Sequence, residues 1–385
     1  MTGGTITTTG KGANALVATN GGTVTISGTT ITSTASSSAR GLHATYGGTI
    51  TASDVTISST GGSCATLATD RGEGTVTCTG CTLSTSGAGS PLIYSTGSIS
   101  VTDTTGTSSG AQAVVVEGKN SVSLDSSTLE CTATPNNKDD SCGVLIYQSM
   151  SGDADSGTSS FTCKDSTIKI LSSSSYANTA PMFFVTNTAA NINLEDCTFE
   201  APSGVFLKVS EGDWGSSGSN GGTVTLTLTD QEIEGDITVD SSSSLTINLV
   251  NSSIKGTINN DKSAAKLAIV MDADSSITLT GNSYYTSLQN SGSGNIDQGS
   301  YTFATYDESE TGSESTNSNS GSTSTDSESR EPPSKSTDTA PSNSTEDSND
   351  SDSSSIEIIT ASFSQNVYSL KKLLFSIAMI LSLFI

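Results

Sequence analysis

The chain has little of what most enzyme chemistry needs. Among 385 residues there is one His, one Trp and only 5% aromatic residues, and 15 Lys and Arg stand against 39 Asp and Glu. A single imidazole removes most His-based acid–base catalysis and His-rich metal sites, and a single Trp removes extended aromatic platforms for sugars. The formal charge of -24 disfavours contact with nucleic acid, whose phosphates call for a basic surface. With 14% charged residues and about a third Ser plus Thr, the composition also lies far from that of a compact helical or α/β enzyme.

What is present is repetition. Gly21-Gly22-Thr23-Val24-Thr25-Ile26, Gly48-Thr49-Ile50-Thr51 and Gly74-Thr75-Val76-Thr77-Cys78 each open a block of short alternating segments. From Val24 the first inward position is expected to recur at Ile50, Val76, Ile99, Val122, Phe161, Ile192 and Val224, at intervals from 23 to 39 residues. Irregular intervals of this kind point to coils with variable loops rather than rigid tandem units. Each interval holds three strand-like runs, such as Thr23 to Ser27, Thr29 to Thr34 and Gly41 to Tyr46. Period-2 alternation puts Val24 and Ile26 on one face and Thr23 and Thr25 on the other.

The second run adds its own apolar column of Ile31, Ile57, Leu83, Leu129, Ile168, Phe199, Ile233 and Ile254. Three strands per coil with stacked inward aliphatics predict an all-β, right-handed parallel β-helix over residues 1–306, whose coils bury one continuous core. A stacked sandwich should instead show hairpin signals such as Asn-Gly between runs, and the clear example, Asn20-Gly21, begins a recurring GGT corner.

Between the first and second runs stands Gly28, Asp54, Gly80, Asp103, Asp165, Asp196, Asp230 or Asn251. Gly, Asn and Asp tolerate left-handed or side-chain-closed turns, so this column is expected to be a corner of the coil. Asp165, Asp196 and Asp230 would then stack in successive coils. They are weak candidates for a structural calcium, the one cofactor the chain suggests, because exchange with Gly at the same place argues for backbone geometry.

The GGT(V/I)T corners, the phrase from Gly41 to Gly48 (GLHATYGG) and the closing sequence from Ser276 to Tyr284 (SITLTGNSY) resemble those of adhesin-like right-handed parallel β-helix proteins. These are related in architecture to pectate-lyase-like folds and autotransporter passengers. The resemblance spans about residues 3–306 and implies a fold more strongly than a function.

Thr5-Ile6-Thr7-Thr8-Thr9 and Ala15-Leu16-Val17-Ala18-Thr19-Asn20 match the second and third runs of the following coil, so the chain is expected to start inside a coil with an N-terminal segment missing. Tyr284, Tyr285, Leu288, Tyr301, Phe303 and Tyr306 gather where a cap over the last coil would belong. From Asp307 to Ser355 there is no Val, Ile, Leu, Met or aromatic residue, which predicts a disordered acidic stalk. Asn343 and Asn349 there, and Asn251 within the helix, begin glycosylation sequons. Residues 356–385 end in an apolar run from Leu373 to Ile385, about 20 Å as a helix against the roughly 30 Å of a bilayer core. Small residues at Ser353-Ser354-Ser355 or Thr360-Ala361-Ser362 ahead of it suit a removable GPI-type signal; a short membrane-spanning helix from about Val367 is the alternative. Both place the β-helix outside a cell.

Seven Cys define no framework. Cys78 and Cys163 fall at the inward place of Ile26 and read as small apolar filling, Cys78-Thr-Gly-Cys81 lacks the second pair that zinc needs, and Cys131 and Cys142, which flank a polar loop, are the disulfide candidates. His43 reads as a plain strand residue. Three functional classes fit: a non-catalytic cell-surface adhesin or coat module with a glycan or protein receptor and no catalytic residues; a polysaccharide lyase or glycosidase; and an ice- or crystal-binding surface. The last draws on the outward pairs Thr23/Thr25, Thr49/Thr51, Thr75/Thr77 and Thr223/Thr225, a row interrupted by Ser98/Ser100, Ser121/Ser123 and Asn191/Asn193.

Overall fold

Short strands that carry aliphatics on one face and hydroxyls on the other cannot be buried singly; stacked in parallel they share one core. The computed structural model, which describes residues 1–137, 140–291 and 294–306, has the form of a right-handed parallel β-helix, with no helix among those residues. Each run builds its own parallel sheet: an 11-stranded first sheet beginning with Thr23–Ser27, an 8-stranded second sheet beginning with Thr5–Thr8, and a 9-stranded third sheet beginning with Leu16–Ala18. The segments Thr5–Thr8 and Leu16–Ala18 pair with Thr30–Ser33 and Leu42–Ala44, so they supply the second and third strands of a coil.

The inward columns stack in register. Val24, Ile50, Val76, Ile99, Val122, Phe161 and Ile192 follow one another in the first sheet. The next partner is Leu226, whereas Val224 pairs with Ala190, which corrects the expected column by one pleat. Strands of five or six residues near the start become seven-residue strands from Thr158–Lys164 to Ser244–Val250, adding an inward position at their beginning, and Val224 occupies it. In the second sheet Ile31, Ile57, Leu83, Leu129, Ile168 and Phe199 stack through Gly106, where the side chain of Leu92 fills the place of the missing one. The ladder then stops, and a four-stranded sheet continues the column with Ile233, Ile254, Ile277 and Ile296. Across the interruption the Gln231 side chain acts as a peptide would, accepting from the Cys197 N–H and donating to the Cys197 carbonyl, both at 2.7 Å.

The corner column is a backbone device. Asp54, Asp103, Asp165, Asp196, Asp230 and Asn251 all have φ between 47° and 53°, and Gly28 and Gly80 share that left-handed conformation. The residue after the corner points inward and joins the coils by hydroxyls. Thr104, Ser127, Ser166 and Ser252 each donate to the carbonyl two residues earlier. All four also accept the backbone N–H at the equivalent place of the preceding coil: Cys81 to Thr104 at 3.2 Å, Thr104 to Ser127 at 3.1 Å, Ser127 to Ser166 at 2.9 Å and Gln231 to Ser252 at 3.1 Å. This satisfies backbone donors that the turn removes from the ladder. The recurring Gly of the GGT corner has a different cause: a Cβ on Gly48 would stand 2.2 Å from the Ala18 carbonyl oxygen, and one on Gly74 2.7 Å from that of Ala44.

The cysteines differ from expectation. Cys78 and Cys163 do point inward, but they are bonded to Cys81 and Cys197, the residues just after the corners Gly80 and Asp196, one bridge within a coil and the other between successive coils. Cys131 and Cys142, the expected pair, are buried thiols. Cys131 lies inside the helix in the column of Ser108 and Ile170, while Cys142 packs in a separate apolar cluster with Leu145, Tyr147 and Phe184, so the loop between them does not bring them together. At the last coils Tyr285 packs against Phe303, 4.6 Å between ring centroids, and Leu288 and Tyr306 lie against the core.

Candidate functional site

Most strands alternate, but in the third sheet Leu42–Ala44 and Leu67–Thr69 are already buried throughout, and the longer strands of its middle coils follow. Val114–Glu117, Val144–Tyr147 and Phe183–Thr186 are buried at every position. A strand apolar on both faces must be covered on both. The outward residues Val115, Leu145 and Phe184 stand in line, and with Cys142, Tyr147, Tyr94 and Trp214 they form a second apolar cluster outside the helix.

Loops supply the cover, and they are the long intervals of the repeat. Residues 132–137 with 140–143, and 148–157, flank the strand Val144–Tyr147 at its two ends, and residues 210–222 follow the strand Val205–Val209. Asp140 folds the first loop by accepting the N–H groups of Asn136 and Asn137 at 2.8 and 3.1 Å; burial raises its pKa against the lowering effect of those bonds. Buried Asn220 pins the third loop by donating to the carbonyls of Gly212 and Trp214 at 2.8 and 2.6 Å. The Trp214 ring thereby lies 5.8 Å from that of Tyr147.

Beneath these rings sits Glu117, fully buried. Its Oε2 accepts the hydroxyls of Tyr94 and Tyr147, the latter at 3.1 Å, and its Oε1 accepts that of Ser149. Burial, with the neighbouring Glu117 charge, raises the pKa of both tyrosines and keeps their hydroxyls protonated as donors. The rings and Glu117 line a cavity of about 260 Å³ together with Arg40, Asn136, Ser151 and Asp153. Its charged rim is internally matched: Arg40 pairs with Asp70 at 3.3 Å, and Arg71 Nε donates to Asp153. The indole N–H of Trp214 is buried without an acceptor.

His43 belongs to the early coils of the same outer face, paired with Val17 and Ala68. Its Nδ1 is 2.9 Å from the Asn14 amide and its Nε2 3.5 Å from Asp70 Oδ2. Burial alone would raise the Asp70 pKa, but the His43 ring, the Arg40 charge and the Arg71 N–H together lower it to about 2.

The residues singled out from sequence lie elsewhere. Asp165, Asp196 and Asp230 stand at left-handed corners, and Asp230 accepts from the Asn251 side chain at 2.5 Å. Among the described residues no group of three His, Cys, Asp or Glu is placed to hold a metal ion. Asn251 is exposed at its corner, whereas Asn343, Asn349, the stalk and the apolar tail lie outside the described residues. Tyr94, Glu117, Tyr147 and Trp214 escaped the sequence reading. The signal was there in the non-alternating runs Val114-Val-Val-Glu117 and Val144-Leu-Ile-Tyr147, next to the longest interval of the repeat. No family model, curated protein or solved structure matches the chain.

Proposed function

We propose that the chain is a non-catalytic, adhesin-like surface protein that presents the groove on its third sheet to an extracellular glycan. The observation that carries this reading is the cavity itself: tyrosine and tryptophan rings beside hydroxyl and carboxylate groups, a lining suited to the apolar faces and hydroxyl edges of a sugar. The rigid solenoid holds that lining at a fixed geometry. Its place on a cell surface rests on the acidic stalk and apolar tail read from the sequence. A glycan array probed with residues 3–306, run beside a reducing-sugar release assay, tests the reading. Binding without turnover is expected; absence of binding to every glycan would remove it.

A second reading, a glycosidase or lyase, is favoured by one feature: Glu117 and Asp153 line the same cavity, as a carboxylate pair would. Against it, Asp153 is held by Arg71 and Glu117 lies behind three hydroxyls that already donate to it. Sugar release abolished by Glu117→Gln and by Asp153→Asn would favour the enzyme.

A further inference from the structure

The lining of the third-sheet cavity carries a charge without a partner. Buried carboxylates are ordinarily matched by a cation, because desolvating a lone charge costs several kcal/mol. Among the described residues Glu117 has no ion-pair partner: its acceptor sites are met by the neutral hydroxyls of Tyr94, Tyr147 and Ser149. The two other charges at the rim, Arg40 and Asp153, are spoken for by Asp70 and Arg71. Counted over the described residues, the lining therefore sets one unmatched carboxylate behind the cavity wall.

The direction of the hydrogen bonds sharpens this. Both tyrosine hydroxyls give their protons to Glu117, so what these two lining residues have left for a ligand is oxygen lone pairs and ring faces, which accept and do not donate. A ligand N⁺–H against such an oxygen completes a relay from ammonium through tyrosine hydroxyl to carboxylate, in which each bond polarises the next. The rings of Tyr94, Tyr147 and Trp214, which line the cavity, add cation–π attraction. The cavity, at about 260 Å³, lies just below the ~300–1,000 Å³ usual for drug-sized ligands and is of a size for one substituted sugar ring.

We infer that this cavity recognises a hexosamine unit bearing a free, protonated amino group. The inference rests on the glycan-binding reading above and names the ligand class for it. It requires an organic ammonium that carries N–H groups on a hydroxylated ring; a neutral sugar leaves the Glu117 carboxylate unmatched, and a simple quaternary ammonium, with no N–H to give, leaves the tyrosine oxygens unused.

Isothermal titration of the full chain with a glucosamine oligomer, its fully N-acetylated counterpart and choline tests this. The free-amine oligomer is expected to bind at least about tenfold more tightly than either of the others, the effect of one desolvated charge-assisted contact. Trp214→Ala, on a loop outside the core, should weaken binding about tenfold or more with its melting temperature little changed, and Tyr147→Phe, which keeps the ring and removes the acceptor, several-fold. Glu117→Gln should erase the preference for the free amine; if that variant does not fold, the Trp214 and Tyr147 variants decide. Equal binding of the N-acetylated oligomer or of choline overturns the inference, as does a folded Trp214→Ala with undiminished affinity. If the free-amine oligomer does not bind while the array finds another glycan, the inference falls and the adhesin reading stands; if no glycan binds, both fall.

Discussion

The outer faces of the first and third sheets stand on similar inward columns and have opposite characters. Along the first sheet the outward row runs Thr49, Thr75, Ser98, Ser121, Ser160 and Asn191, small polar residues paired coil after coil. Along the third sheet the outward row runs Val17, His43, Ala68, Tyr94, Val115, Leu145 and Phe184, passing from a polar cluster to a covered apolar ridge. The inward side chains set the fold in both; the outward ones decide whether a face meets water or a loop. The Thr row is also less regular than an ice- or crystal-binding lattice needs, because Ser and Asn replace Thr from Ser98 to Asn191 before Thr225 resumes it.

The largest effect should come from breaking the distinction between inside and outside. Ile168 is fully buried in the second-sheet column, and Ile168→Asp places a charge in a dry stack with no partner, at a cost of about 4 kcal/mol or more. Thr75 faces outward from the first sheet, and Thr75→Asp should cost within about 0.5 kcal/mol. Urea midpoints of the two variants measure this, and equal shifts would contradict the assigned faces.

A smaller effect separates the two outer faces themselves. Leu145 points outward yet is only 4% exposed, packed between Val115 and Phe184, so Leu145→Ala should cost about 2–3 kcal/mol, as at a core position. The matching outward change on the first sheet, Thr162→Ala, should fall within about 0.5 kcal/mol. If Leu145→Ala proved as mild as Thr162→Ala, the loop cover would not be formed in solution.

How far these features could be read from sequence follows from the same division. Inward positions obey one rule, period 2 with aliphatics, and so Ile31, Ile57 and Leu83 were readable as a column, as were the corners through the exchange of Asp with Gly. The column slipped only where the strands lengthen: counting from the first apolar residue selects Val224, while the pairing selects Leu226. The disulfides were missed because an inward Cys looks the same by spacing whether it is filling or bridge; the inward places of Cys81 and Cys197, just after the corners, were the missing information. The groove was missed because its parts are far apart in sequence. Tyr94, Glu117 and Tyr147 come from three coils and Trp214 from a loop beyond them, and only the stacking brings them to one cavity.

Within the third sheet, the polar early coils should show a pH signature that the apolar ridge lacks. The Asp70 pKa is lowered to about 2 from 3.8, so its ionised form is favoured by folding. Its contribution is present above about pH 4 and is lost as pH falls toward 2. Discounted for its partial exposure, it amounts to about 1 kcal/mol. Asp70→Asn should lower the melting temperature slightly at pH 6 and flatten the decline between pH 4 and 2. A variant with an unchanged acid limb would show that His43 and Arg40 do not hold this carboxylate in solution.

The smallest effects, those of Asp196→Asn and Asp196→Gly, concern the corner column, where backbone geometry and metal binding lead to different outcomes. Asp196 has φ of 50°, a conformation that Asn and Gly adopt readily and β-branched residues do not. If geometry is its role, Asp196→Asn and Asp196→Gly should change stability by a few tenths of a kcal/mol, whereas Asp196→Val should cost about 1–2 kcal/mol. Relief of charge pushes the same way, since removing one carboxylate from a column that also holds Asp165 and Asp230 leaves less repulsion, screened as it is by solvent and salt. Calcium separates the alternatives: a site built from these carboxylates would raise the melting temperature in millimolar calcium over that in chelator, and Asp196→Asn would abolish the rise. With Asp230 already accepting from Asn251 and no three-ligand cluster among the described residues, the expected result is a melting temperature that calcium leaves unmoved, in the parent and in Asp196→Asn alike.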